Sequence, residues 1–198
     1  MSVMLVAVSI FYQMVLSTKR LRLLNHENAV AVEAARAMIE RMRNEDFSEV
    51  YALYNSDPLD DPLVPGSGPG HRFAVSGLTA LESVADGLIG EVQFPEIDVT
   101  PAAGGGGGGM QVGGIGGIGG GGAGGVAAVA TPEFELREDS VDDNLGMPRD
   151  LNGDSIIDDD DHAEDYLILP VRVRLQWEGV FGPRSLDLYT MIGEFRKE

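Results

Sequence analysis

The chain contains no cysteine among its 198 residues, and its three histidines, His26, His71 and His162, lie far apart in the sequence. The absence of cysteine excludes disulfide bonds, thiolate nucleophiles and cysteine-ligated zinc or iron–sulfur sites. The scattered histidines give little basis for a histidine metal centre or a catalytic triad. Because no nucleophile is paired with a base, we expect a protein that is not an enzyme.

Basic residues are also scarce, with 14 Lys and Arg against 32 Asp and Glu and a formal net charge of -18. This balance argues against nucleic acid as a partner, because phosphate binding needs clustered Lys and Arg. Residues 133–165 alone carry fourteen of the acids and two of the bases. Hydrophobic residues make up 43% of the chain, which is enough to build a core.

Glycine is concentrated in one tract, since residues 104–125 hold 16 of the 27 glycines. The tract contains a formal G-x-G-x-x-G at Gly114, Gly116 and Gly119. A dinucleotide site needs a strand before such glycines and a helix after them, and the flanking residues predict neither element. We therefore expect no nucleotide partner and interpret residues 104–130 as a flexible loop.

The first 18 residues contain no charged side chain. As a helix they would span about 27 Å, close to a hydrocarbon core of about 30 Å, which favours a membrane anchor. A signal-peptide core is an alternative, although a basic n-region and a small-residue cleavage site are missing. A buried helix is another alternative, but a chain of this size could barely cover it on all sides.

Residues 19–55 form the second part of the same predicted helix. The chain runs without proline or glycine to Tyr54, and apolar residues recur at helical spacing at Ala35, Met38, Ile39 and Met42. Acidic and basic residues occupy the other faces at pairing distances. We expect one continuous helix, apolar all round at first and amphipathic afterwards.

This helix architecture, with the Ala-rich and charge-paired residues 28–43, resembles that of type IV pilins and of type II secretion pseudopilins. The resemblance implies a pilin-like structural or assembly subunit whose partners are other pilin-like subunits, bound through the N-terminal helix, and the membrane. It also implies a single-pass bacterial inner-membrane protein with a periplasmic or extracellular globular domain. The family's leader, with Gly and then Phe and Glu, is not present, so we expect a prepilin leader upstream or no processing site.

An acidic segment, residues 150–161, matches the spacing of a calcium loop. Positions 1, 3, 5, 7, 9 and 12 are Asp150, Asn152, Asp154, Ile156 through its carbonyl, Asp158 and Asp161. The spacing predicts Ca²⁺ bound weakly, with a dissociation constant on the order of 10⁻⁴–10⁻³ M, and is similar to that of dockerin loops. A solvated acidic loop is the alternative.

The remaining segments predict a small antiparallel sheet. Residues 56–103 are interpreted as a loop followed by strands near 71–75 and 88–94. Residues 131–198 are interpreted as the acidic loop followed by a β-hairpin. The hairpin is predicted because Val171, Val173, Leu175 and Trp177 alternate with polar residues. The predicted fold class is α+β, with the long helix packed on the sheet. A rival function is a membrane-tethered, calcium-dependent extracellular binding module that does not polymerise.

Overall fold

A computed structural model describes residues 2–84, 86–99 and 134–194. The elements in chain order are α1 (Ser2–Asn44), a 3₁₀ turn (Phe47–Glu49), α2 (Val50–Tyr54), β1 (Arg72–Phe73), β2 (Gly90–Gln93), β3 (Glu96–Asp98), β4 (Phe134–Leu136), β5 (Ile168–Gly179) and β6 (Gly182–Gly193). The α+β class, with an N-terminal helix and small antiparallel sheets, is confirmed. The glycine tract and the predicted flexible loop at 104–130 lie outside the described residues.

The long helix is shorter than predicted. It ends at Asn44, and a separate turn and a short helix follow. Asp46 interrupts the helix because its backbone is extended and its side chain accepts a hydrogen bond from the Ser48 amide, as an N-cap does. The prediction of one continuous helix to Tyr54 is therefore wrong, and the break lets α2 bury Val50, Tyr51 and Tyr54.

The six strands form two antiparallel sheets. The larger has the strand order β1-β2-β5-β6, and the smaller pairs β3 with β4. Strands β5 and β6 form the predicted hairpin, with Leu175 opposite Leu186 and Val173 opposite Leu188. This confirms the hairpin, whose twelve-residue strands dominate the sheet.

The core lies between the second half of α1 and the inner face of the hairpin. The predicted helical stripe is buried, as are the alternate β5 residues that were expected to face inward: Ala31, Ala35, Met38, Ile39, Met42, Val171, Val173, Leu175 and Trp177. Ala31 and Ala35 carry the smallest side chains of the stripe and are fully buried. Trp177 is 1% exposed and belongs to this core rather than to a surface binding site.

The first half of α1 projects away from this core. Every side chain from residue 11 to residue 23 is exposed, and from residue 11 onward the first buried side chain is that of Ala31. No helix among the described residues is long and apolar enough to cross a membrane. The predicted single-pass inner-membrane localisation is thus contradicted, because the apolar part of α1 ends at Leu16, after about 22 Å of helical rise, and Lys19 and Arg20 follow soon after.

Candidate metal centre

The first half of the predicted calcium loop folds around its own side chains. The Asp150 carboxylate accepts hydrogen bonds from the amides of Gly153 and Ser155, the latter at 2.8 Å. Asn152 and Asp154 each accept a bond from the amide two residues further on. The carboxylate and amide oxygens at positions 1, 3 and 5 are therefore held in place by local backbone amides.

Ser155 occupies position 6 of this loop and has a φ of 70°. A calcium loop of the EF-hand type has glycine there because the chain turns sharply, and a left-handed conformation is uncommon for a non-glycine residue. Ser155 nevertheless adopts this conformation, which brings its amide to the Asp150 carboxylate. The backbone conformation of the first six positions therefore fits a calcium loop.

The second half of the loop fits less well. Ile157, at position 8 of the loop, is half exposed. Asp161, at position 12, turns away and accepts hydrogen bonds from the amides of Leu136 and Ala163 at 3.0 and 3.2 Å. Asp158, at position 9, contacts His162. Both bonds to Asp161 go to its Oδ1 atom, so Oδ2 is the oxygen that it could offer to an ion. Calcium at the six predicted ligands stays a prediction.

A different group of side chains comes together beside the loop. Glu138, Asp158 and His162 each offer a ligand atom, and the three atoms lie within 4.8 Å of one another. The His162 Nε2 atom is 3.1 Å from Asp158 Oδ1 and 3.8 Å from Glu138 Oε1. Among the described residues this is the group of three acidic or histidine side chains placed closely enough to share a metal ion.

The chain after β4 explains why these residues meet. The carbonyl of Leu136 accepts a hydrogen bond from the His162 amide, and the carbonyl of Glu138 accepts one from the Arg149 amide. Both ends of the acidic loop are therefore bound to the short segment 136–138. The Glu138 side chain consequently reaches the interior of the loop.

Glu138 is completely buried, which is unusual for a carboxylate. Its Oε1 atom accepts hydrogen bonds from the amides of Leu151 and Asn152. Its Oε2 atom is buried and has no hydrogen-bond partner among the described residues. An unsatisfied buried carboxylate oxygen is costly, so this atom needs a partner of positive charge or a donor.

His162 is also buried, and its two ring nitrogens have different partners. Nδ1 lies 3.0 Å from Asp165 Oδ1, whereas Nε2 faces Asp158 and Glu138. Burial lowers the pKa of His162, but hydrogen bonds donated to the Asp165 and Asp158 carboxylates and the charge of Glu138 outweigh burial and raise the pKa above 6.5. The Asp158 carboxylate accepts hydrogen bonds from the Asp160 amide and from His162, and these bonds lower the pKa of Asp158.

Sequence reasoning missed Glu138 and His162. It expected the histidines to be too far apart for a metal centre, but one histidine with two carboxylates is enough to form a cluster. Glu138 is one of the fourteen acids of residues 133–165, and nothing in its spacing distinguishes it from the others. Only the pairing of the segment after β4 with the loop brings it to His162.

A second acid, which is partly buried, lies in the small sheet. Glu96 begins β3, and its carboxylate accepts a hydrogen bond from the Ser56 hydroxyl at 3.3 Å. Burial raises the pKa of Glu96 to about 7, the Ser56 bond opposes this, and the charge of Asp60 adds to it. Glu96 therefore carries a proton at mildly acidic pH. Among the described residues no basic side chain forms an ion pair with it.

Comparison of this chain with protein-family models, with curated proteins and with solved structures finds no match.

Proposed function

We propose that the chain is a non-catalytic assembly subunit of the pilin-like kind, which packs the projecting half of α1 against the same helix of neighbouring copies. The observation that carries this proposal is the exposure of large apolar side chains on that half, while the other half packs on the globular domain. Such a cluster of exposed apolar residues marks an interaction surface.

The distribution of these side chains favours several neighbours over one. At about 100° per residue, five of them spread over about 200° of the helix surface, whereas a helix that packs on one surface needs a stripe of about 100°. These residues are Phe11, Tyr12, Met14, Val15 and Leu16. A single groove could not cover this arc, but a bundle of equivalent helices could.

Charge supports a second copy as the neighbour. Lys19 and Arg22 are exposed on the projecting helix, and the globular domain carries the acidic residues 133–165. A neighbouring copy whose acidic segment lies beside these bases would bring opposite charges together, and such complementarity directs association and register. Within this subunit, calcium at residues 150–161 would neutralise the carboxylates of the acidic loop.

The assembly proposal is tested by removing apolar area from the helix. We expect the wild-type chain to self-associate, and the double variant Phe11→Ser, Met14→Ser to raise the dissociation constant at least tenfold. Burial of each such side chain contributes about 1.5–3 kcal/mol, and about 1.4 kcal/mol corresponds to a factor of ten. Analytical ultracentrifugation over a concentration series measures the effect.

Leu63 provides a matched control, since it is a large apolar residue that is 87% exposed but lies in a loop of the globular domain. Leu63→Ser should leave association unchanged. A wild-type chain that is monomeric throughout the series, or a double variant that associates as strongly as wild type, would overturn the proposal.

The calcium loop is tested by thermal unfolding of the full chain. Addition of 10 mM Ca²⁺ should raise the free energy of unfolding by roughly 1.4–2.7 kcal/mol, given a dissociation constant on the order of 10⁻⁴–10⁻³ M and binding to the native state alone. The variants Asp150→Ala and Asp154→Ala should lose this gain, because each removes a predicted ligand.

Asp160 is the matched control, because it is an exposed acid of the same loop that occupies none of the liganding positions. Asp160→Ala should retain the full response to Ca²⁺. If all three variants respond as wild type does, calcium acts elsewhere and the loop is a solvated acidic segment.

A further inference from the structure

We propose that Glu138, Asp158 and His162 form a binding site for a divalent transition metal of the zinc class. This site differs from the predicted calcium loop in its ligands, since it uses a histidine and a glutamate that lie outside the six calcium positions. It is independent of the assembly proposal, because it involves no residue of the projecting helix.

The spacing of the ligand atoms suits a tetrahedral ion. Bonds of about 2.0–2.1 Å to nitrogen and oxygen place the ligand atoms of such an ion about 3.4 Å apart. The His162 Nε2 atom lies 3.1 Å from Asp158 Oδ1 and 3.8 Å from Glu138 Oε1, on either side of that value. Small side-chain movements would therefore bring all three atoms to bonding distance.

Glu138 supplies the observation that points to a ligand. Its side chain is fully buried, its Oε1 atom is held by two backbone amides, and its Oε2 atom has no partner among the described residues. Two backbone amides orient the carboxylate, and its Oε1 atom, 3.8 Å from His162 Nε2, is the oxygen placed to bind the ion. The unpartnered Oε2 atom marks a carboxylate whose charge is incompletely satisfied without an ion. The ion would also remove the cost of the buried, unsatisfied charge.

His162 is oriented as metal-ligating histidines are. Such residues donate the second ring N–H to a carboxylate, which fixes the tautomer and directs the other nitrogen to the metal. Here Asp165 lies 3.0 Å from Nδ1, so the lone pair of Nε2 points to Asp158 and Glu138. The rival is a protonated His162 that bridges three carboxylates without a metal, and metal titration separates the two.

The ligand types identify the class of ion. One imidazole nitrogen with two carboxylate oxygens suits zinc and neighbouring transition metals, whereas calcium and magnesium prefer oxygen ligands throughout. The Asp158 side chain is one-third exposed, so this side of the site opens to solvent. Water would supply the fourth ligand from that side.

The test is titration of the full, metal-stripped chain with Zn²⁺ by calorimetry, together with the visible spectrum of the Co²⁺ form. We expect one site and a spectrum typical of tetrahedral Co²⁺. His162→Gln and Asp158→Asn should each weaken binding at least tenfold, and Asp165→Asn should weaken it about 10–100-fold through loss of orientation. Glu138→Gln should weaken Zn²⁺ binding too. If this variant does not fold, Asp158→Asn tests the proposal, because Asp158 is partly exposed and its replacement is better tolerated.

Two controls separate this site from others on the chain. Asp154→Ala should lose the response to Ca²⁺ but retain Zn²⁺, whereas His162→Gln should lose Zn²⁺ but retain Ca²⁺. His71→Gln should bind Zn²⁺ as wild type does. The proposal is overturned if wild type binds no Zn²⁺, if His162→Gln and Asp158→Asn bind it normally, or if equimolar Ca²⁺ displaces it.

Discussion

Replacement of Trp177 by alanine is expected to lower the free energy of unfolding by about 3–5 kcal/mol, the cost typical of truncating a buried tryptophan. Trp177 is 1% exposed on β5, pairs with Arg184 of β6 and belongs to the core beneath α1. Truncation would remove its apolar area and leave a cavity, because backbone hydrogen bonds on both sides fix the strand.

Chemical denaturation measures this loss, and the denaturant slope shows whether the folded state has changed. Val180 is the control, since it is an apolar residue of the same hairpin that is exposed at the turn. Val180→Ala should change stability by no more than about 0.5 kcal/mol. If Trp177→Ala cost as little as Val180→Ala, Trp177 would be a surface residue and the packing of α1 on the hairpin would be wrong.

The elements that could be predicted from the sequence are those with strong local periodicity. The alternation from Val171 to Trp177 has a period of two, and the stripe from Ala35 to Met42 has the helical period, so each predicts both its element and its buried face. The end of α1 could not be predicted in this way. Asp46 caps a new turn through its side chain, and no proline or glycine marks the position.

The candidate metal ligands also fall into two groups, those placed by local contacts and those placed by tertiary pairing. Asp150, Asn152 and Asp154 make hydrogen bonds within a few residues, so their local arrangement follows from the spacing that predicted the loop. Glu138 and His162 lie 24 positions apart and meet because the His162 amide bonds to the carbonyl of Leu136, two residues before Glu138. Pairing at that range is a tertiary property, and a single sequence carries no local signal for it.

The projecting half of α1 has a further property that the sequence alone does not predict, namely what surrounds its apolar side chains. The absence of charge from residues 1–18 predicts that their side chains need an apolar environment. It does not identify what provides that environment, because lipid and a neighbouring helix are equally apolar. The spread of apolar side chains from Phe11 to Leu16 around α1, together with its basic residues, is what favours neighbouring copies.

Replacement of Glu96 by glutamine is expected to stabilise the protein at pH 8 by about 2–3 kcal/mol and to have little effect below pH 4.5. Burial raises the pKa of Glu96 from 4.5 to about 7. At pH 8 the wild-type carboxylate is ionised in both states, and its burial in the folded state is costly. Glutamine keeps the acceptor for the Ser56 hydroxyl without the charge, and a shift of one pKa unit corresponds to about 1.4 kcal/mol.

The sign of the pH dependence follows from proton binding. Between pH 4.5 and about 7 the folded state holds the Glu96 proton more tightly than the unfolded state, so wild-type stability falls as the pH rises through this range. The raised pKa of His162 acts in the same direction in both proteins, so the difference between wild type and Glu96→Gln isolates Glu96. Denaturation curves from pH 4 to 8 measure this difference, with the exposed Glu82→Gln as control. A difference that stays constant with pH would show that folding does not change the pKa of Glu96.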